Sequence, residues 1–221
     1  DKSIDKSHEV LKKFQKKIIT IKNKKKTSED SYNQINSYYK GYLKSQGDYL
    51  FFLDSDDYLK KRKIELLIKK FKNKKKFDLI FDLPILKFKN KEIKENFKQK
   101  KFIISSWPRF TPQSCISLRR DFAKEIFKEL KIKKFKTIWF DFRIAVYYYL
   151  KNKNIYIFRK YLTYYRQLDN SASKEYKFFN KKWWIRRKQA HEFVSFVNKK
   201  LNLKNSNNFD KVATNIINFF R

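Results

Sequence analysis

Glycine occurs twice, proline three times, cysteine once and methionine not at all in this chain of 221 residues. Gly41 and Gly47 do not assemble a Gly-rich phosphate loop, which leaves a nucleotidyltransferase with little support. Cys115 stands alone, which excludes an intramolecular disulfide, and with His8 and His191 as the only histidines there is no Cys/His zinc constellation. No apolar stretch approaches the roughly 18 residues that span a bilayer, and no signal peptide is expected. The expectation is therefore a cytoplasmic protein, with any membrane contact peripheral and electrostatic, on the anionic inner face of the plasma membrane. The initiator Met is missing and the first residues read as the middle of a motif, so the natural N-terminus, and one strand with it, is expected to have been cut away.

Positive charge is what the chain has most of. Lys and Arg number 56 against 22 acids, giving a formal net charge of +34 and a pI of about 10.1. Such values raise a basic nucleic-acid-binding module as an alternative, with Lys for phosphates and the 19% aromatic residues for stacking. Two features oppose it: the charge is spread along the chain rather than gathered in a tail, and most aromatics fall on periodic faces that belong in a core. No RNA-binding or helix-turn-helix signature appears, so no specific nucleic-acid partner is expected.

The length suits one full-sized α/β domain with a modest helical extension. Leu11, Phe14 and Ile18 begin a helix that gives way to a short strand at Ile18-Ile19-Thr20-Ile21. A helix over residues 31–45 places Tyr32, Ile35, Tyr39, Tyr42 and Leu43 on one face, and Gly47 stands where a left-handed C-cap belongs. Ile64, Leu67, Ile68 and Phe71 form the stripe of another helix. Short strands are expected at residues 77–81, 83–87, 102–106 and 155–158, and helices around Phe122 to Leu130 and from near Asp141. A polar loop is expected over residues 164–173, then a long helix with Ala190, Phe193, Val194, Val197 and Leu201 on its face, and a last helix over about residues 210–220 beside it. Alternating α and β elements predict a mostly parallel sheet with right-handed crossovers.

The most informative segment is Asp54-Ser55-Asp56-Asp57, directly behind the unbroken apolar run Tyr49-Leu50-Phe51-Phe52-Leu53. The run reads as a strand buried on both faces, and its carboxyl end is where open α/β sheets bind ligands. Three like charges in four residues repel unless a cation neutralises them, and oxygen ligands suit Mg2+ or Mn2+, which in turn hold phosphates. The competing reading is an acidic turn that ends the strand and caps the next helix.

Asp1-Lys2-Ser3-Ile4-Asp5-Lys6-Ser7 resembles the "DDGSTDKS" segment of family 2 glycosyltransferases with the GT-A fold, entered at its second aspartate. Lys40-Gly41, Ser45-Gln46-Gly47-Asp48-Tyr49 and Phe52-Leu53-Asp54-Ser55-Asp56-Asp57 are similar to the family's "kG...a.G.Y..FLDSDD" block. Trp139-Phe140-Asp141-Phe142-Arg143 resembles its "ED" or "D" acceptor segment, and Tyr165-Arg166-Gln167 with Ser171-Ala172-Ser173 its "YR...nS.S" loop. Tyr38-Tyr39 stand where many members carry Arg-Asn, and the "QxxRW" motif of processive synthases is missing, which favours one sugar per encounter.

The resemblance implies a GT-A (Rossmann-like), mostly parallel sheet flanked by helices over residues 1–175, with its first strand missing, and a C-terminal helical extension over 176–221. It implies an inverting, metal-dependent glycosyltransferase that moves a hexose or N-acetylhexosamine from a nucleoside diphosphate sugar, expected to be a UDP-sugar, to a glycan or lipid-linked acceptor in cell-surface polysaccharide synthesis. On this reading Asp1 bonds the donor base, Asp56 binds Mn2+ or Mg2+, Asp54 contributes to the metal or the donor ribose, and Asp57 orders the turn. Arg166, from a mobile loop, reaches the diphosphate or acceptor, or is simply a solvent-exposed arginine. Asp141 is the candidate general base, its pKa raised by Trp139, Phe140 and Phe142, with helix N-capping the competing role. His8 and His191 are placed on helix surfaces without a role, and Trp183-Trp184 with Arg186 and Arg187 are read as a packing pair and a basic face.

Overall fold

Side-chain alternation along two strands explains how one sheet is covered on both faces. The computed structural model describes residues 6–23, 27, 30–73, 77–98, 107–130, 134–168, 175–205 and 207–220. In strand β1 (Tyr49–Phe51), Leu50 points into the larger apolar cluster while Tyr49 and Phe51 point into a smaller one on the other face. In β3 (Leu79–Lys87), Leu79 and Phe81 join the larger cluster and Ile80 the smaller.

Helix α3 (Lys63–Asn73) closes the smaller cluster with Leu67 and Phe71. The larger one is closed by α2 (Asp30–Lys44), α4 (Arg120–Leu130), α5 (Phe140–Asn152) and α6 (Lys181–Lys200), through Ile35, Ile126, Phe140, Val146 and Phe193. Helix α7 (Phe209–Phe219) runs back along α6, and a short α1 (Ser7–Lys13) lies at the beginning of the described chain.

The strand order is β1-β5-β3-β6-β2, with β2 at Tyr58–Leu59, β5 at Ile116–Arg119, β6 at Ile157–Arg166, and β4 (Glu92–Lys94) paired to β3. The fold is α/β, as expected, but the pairing among the described residues is mixed. β3 and β6 are parallel, from Phe81 opposite Ile157 to Lys87 opposite Arg166, whereas β5 lies antiparallel between β1 and β3. Strand β5 has four residues, too few to announce itself in the sequence, and it reverses the local direction of the sheet.

Other boundaries differ for identifiable reasons. The strands expected at 77–81 and 83–87 are one strand, β3, because the acid between them, Asp82, is neutralised internally by Lys63; the register against β6 slips around Asp82, Leu83 and Pro84, where proline has no N–H to give. Strand β6 extends far beyond 158 and absorbs Tyr164, Tyr165 and Arg166, so Arg166 ends a strand rather than sitting in a loop. Residues 18–21 form no strand; the Ile18 N–H donates back to Phe14 O at 3.1 Å, and Ile19 is 73% exposed. Gly47 has no positive φ and is no left-handed cap; its carbonyl accepts from Arg120 Nε at 2.6 Å instead. The strand expected at 102–106 lies outside the described residues.

Candidate active site

The acid turn is stitched to three distant parts of the chain. Asp57 N–H donates to Asp54 O at 3.1 Å, closing the turn. Asp54 N–H donates to Ser114 Oγ at 2.9 Å, and the Tyr38 hydroxyl of α2 donates to Asp54 Oδ1. Arg166, at the end of β6, donates its backbone N–H to Asp57 Oδ1 at 2.9 Å and its Nε to the Asp56 carbonyl. The last residues of β1, η1 (Gln113–Cys115) and β6 therefore meet at one point, because β2 pairs Tyr58 with Tyr164 and stacks their rings 4.4 Å apart.

The three acids of the turn are not equivalent. Asp57 is buried; burial pushes its carboxyl up to about 6, with the Ser114 hydroxyl and then the Arg166 N–H holding it down in part. Asp54 and Asp56 are half-buried at the surface of the turn. Burial raises the Asp54 carboxyl above the usual range, the Tyr38 hydroxyl lowers it, and the negative charges of Asp141 and Asp56 raise it further. Beside Asp54 a cavity of about 270 Å³ is lined by Asn33, Gln34, Ser37, Tyr38, Ser55 and Trp139, among others.

Asp141 comes to the same place from the other side. The N-cap of α5 is Trp139, so Asp141 is not the cap; it stands in the first turn, where its Oδ1 accepts the Phe142 N–H at 2.7 Å. Arg143 fixes that turn. Fully buried, it donates to the carbonyls of Ile138 (2.9 Å), Leu130 (2.9 Å) and Phe135 (2.6 Å), which ties the start of α5 to the end of α4. Burial pushes the Asp141 carboxyl up, opposed chiefly by the cationic Arg186 of α6.

Two tyrosines lie within the field of Asp54, Asp57 and Asp141. Burial raises the Tyr38 hydroxyl strongly, with Asp54, Asp141 and Asp57 adding to it, and pushes Tyr165 to about 12, with Asp141, Asp57, Asp54 and Asp56 adding to it. Both therefore remain protonated donors at neutral pH.

Of the residues singled out in the sequence, Asp54, Asp56, Asp141 and Arg166 converge, while Asp1 and Ser171 to Ser173 lie outside the described residues. Tyr38, Ser114, Tyr165 and Arg143 were not given roles by sequence reasoning, and Arg186 was read only as part of a basic face. The available signal was Tyr38 at a position where family members carry arginine. His191 is a correction: it is 2% exposed, its Nε2 lies 2.8 Å from Asp210 Oδ2 and its ring meets Trp107, because α6 is packed on two sides.

The profile of Glycosyl transferase family 2 matches residues 1–127. The chain belongs to glycosyl transferase family 2. Among solved structures it is similar to S. aureus TarS 1-349 in complex with UDP-GlcNAc, with a TM-score of 0.56 and 12% identity over 97% of this chain and 58% of that one. It is also similar to S. aureus TarS, with a TM-score of 0.52 and 13% identity over 97% of this chain and 34% of that one. At these identities the likeness is one of fold, and it agrees with the GT-A architecture; this chain spans 58% and 34% of the two neighbours' lengths. No curated protein matches the chain.

Proposed function

We propose that the chain transfers a sugar, a hexose or N-acetylhexosamine, from a UDP-sugar to a hydroxyl of a glycan or lipid-linked acceptor in cell-surface polysaccharide synthesis. The observation that carries this reading is the meeting of Asp141 with the Asp54 to Asp57 turn from elements remote in sequence, next to a cavity. The neighbour solved with UDP-GlcNAc supports the choice of donor.

The donor set suits Mn2+ or Mg2+. Among the described residues no three His, Cys, Asp or Glu side chains gather into a metal cage. Asp54 and Asp56 instead offer two half-buried carboxylates whose mutual repulsion a cation would relieve, and Mg2+ typically takes one or two carboxylates together with substrate phosphates. Such an ion, held by Asp54 and Asp56, would offset the charge that develops on a departing diphosphate.

The chain's own groups then divide the remaining work. Asp141 accepts the proton of the acceptor hydroxyl; that oxygen attacks the anomeric carbon, whose bond to the diphosphate breaks, releasing the nucleoside diphosphate. Arg166 directs its guanidinium at the phosphates and Tyr165 donates toward the same charge. Asp1 is assigned to the donor base. One displacement, without a second nucleophilic carboxylate, inverts the anomeric configuration.

Calorimetric titration of UDP tests the assignment: binding is expected to be tighter with Mn2+ than with EDTA, and Asp56→Ala is expected to remove the difference. Equal affinity in both conditions for the unaltered chain rejects it.

A further inference from the structure

Helix α7 is attached by its polar side. Asp210 lies 2.6 Å from Arg187 Nε and 2.8 Å from His191 Nε2, and Asn218 Nδ2 donates to the Trp184 carbonyl at 3.2 Å. Asp210 and Thr214 are buried between the helices, while Phe209 (84% exposed), Val212, Ile216 and Phe219 (81%) form an outward stripe at helical spacing, continued by Phe220 (81%). A helix that is bound through polar contacts and turns its apolar side outward reverses the usual arrangement of a surface helix.

The surroundings of that stripe are cationic. Along its flank, Lys211 and Asn215 line a cleft of about 870 Å³ between α6 and α7 that also holds Lys134, Lys199 and Lys200, with Glu192 on its wall. At the far end of α7, Phe178 (71% exposed) and Phe179 pack against Trp183, and Phe179 stacks on Trp184, next to Lys181, Lys182 and Arg186. Residues 175–221 contain eleven Lys and Arg against Glu175, Glu192 and Asp210.

From these features we infer that the α7 stripe and its lysine-lined flank dock on an anionic lipid bilayer, the apolar side chains entering the acyl boundary and the lysines meeting lipid phosphates. An amphipathic helix with aromatic and aliphatic groups on one face and cations beside it suits that interface. A second copy of the chain would bring the same excess of positive charge to the contact, and a nucleic acid would engage the lysines while leaving Val212, Ile216 and Phe219 in water. Arg186 of α6, the helix on which α7 packs, also opposes the burial of the Asp141 charge, so one helix links the docked element to the proposed base. Resting on the proposed glycosyl transfer, this suits an acceptor carried by a lipid.

Vesicle co-sedimentation of the full chain, without donor, tests the surface. Strong partitioning is expected onto phosphatidylcholine vesicles in which one lipid in three is phosphatidylglycerol, and little onto phosphatidylcholine alone. Replacing Phe219 and Phe220 together by Ser is expected to weaken the anionic partitioning about tenfold or more, since the interaction scales with buried apolar area; Lys199→Glu with Lys211→Glu is expected to weaken it similarly, with UDP affinity unchanged in both variants. Unchanged partitioning of the Phe219→Ser, Phe220→Ser variant overturns the proposal. So does a dimer in analytical ultracentrifugation that this variant disperses, or affinity for a single-stranded RNA homopolymer that it abolishes. Because UDP binding is read separately, failure at the bilayer leaves the glycosyl-transfer reading intact, and failure of UDP binding leaves the docking surface intact.

Discussion

Lys63 Nζ lies 2.7 Å from Asp82 Oδ1, and neither side chain reaches solvent. The same ammonium donates to Thr163 Oγ1 and to the Ser114 carbonyl, each at 2.6 Å, and Thr163 Oγ1 in turn donates to Asp82 Oδ2 at 2.7 Å. Ser114 receives the Asp54 N–H, so this pair is the floor beneath the acid turn. Removing one partner strands a buried charge, which costs about 3–5 kcal/mol, whereas replacing both with apolar groups is often neutral. Lys63→Met is expected to lower unfolding free energy by about that amount, and Lys63→Met with Asp82→Leu to recover most of it. Urea denaturation of the three proteins checks this, and equal losses for single and double variants would contradict it.

Burial pushes the Asp82 carboxyl up to about 6, with Lys63 pulling the other way. An exposed Asp titrates near about 3.9, so folding favours the protonated form of Asp82. Its contribution to stability is full below the lower value and is lost as pH rises through the higher one. Between pH 4 and pH 7 the melting temperature of the unaltered chain is expected to fall further than that of Asp82→Asn, which is less stable overall but lacks this titration. Parallel pH profiles would show that Asp82 does not titrate in this window.

Asp141 is set for proton transfer by the same physics. Its carboxyl lies above the ordinary range because its half-buried position desolvates it, with Arg186 opposing the shift. As a base it works only when deprotonated, so kcat/KM for sugar transfer is expected to fall as pH drops through its raised pKa and to level off above it. Asp141→Asn is expected to reduce turnover about 10²-fold or more with donor affinity nearly intact, in line with the usual contribution of a positioned base. Arg186→Gln, by removing the opposing cation, is expected to move the acidic limb to higher pH. A rate profile that keeps its acidic limb in Asp141→Asn would assign that limb to another group.

What the sequence made legible follows from periodicity and from clustered charge. The stripes of α3, α4 and α6 and the acids of the turn are local signals, and Asp54, Asp56, Asp141 and Arg166 do meet. What it hid was non-local. Lys63 is one lysine in a chain crowded with them, and only its distant neighbours Asp82, Thr163 and Ser114 distinguish it. β6 conceals itself because its far half carries Thr163, Tyr164, Tyr165 and Arg166, polar-tipped residues that suit a loop until β3 and β2 pair with them on either side. His191 reads as a surface residue until Asp210 of α7 arrives to bond it.

Tyr38 offers a narrow test of how the turn is tuned. Its hydroxyl donates to Asp54 while its ring packs edge-on against Phe52 at 5.0 Å and lies tilted against Phe140 at 5.6 Å. Tyr38→Phe keeps that packing and removes the donor, leaving the half-buried Asp54 with less to stabilise its charge. A hydrogen bond to a charged group is worth about 1.5–3 kcal/mol, so UDP affinity in Mn2+ is expected to fall by roughly one order of magnitude or more with thermal stability little changed. Calorimetric titration and a thermal melt together decide it, and unaltered affinity would remove Tyr38 from the donor site.

Arg166 separates backbone from side chain. Its N–H holds Asp57 and its Nε holds the Asp56 carbonyl, so only the second contact depends on the guanidinium. Arg166→Ala is expected to preserve the strand end and the turn, yet to raise the donor KM several-fold to tenfold. Arg166→Lys is expected to recover little of that loss, because a lysine presents one point charge where the guanidinium presents a planar fork. Full recovery by lysine would mean that charge alone, without the fork, carries the role. Unchanged kinetics in Arg166→Ala would reduce the residue to its backbone, a strand end that happens to brace the aspartates.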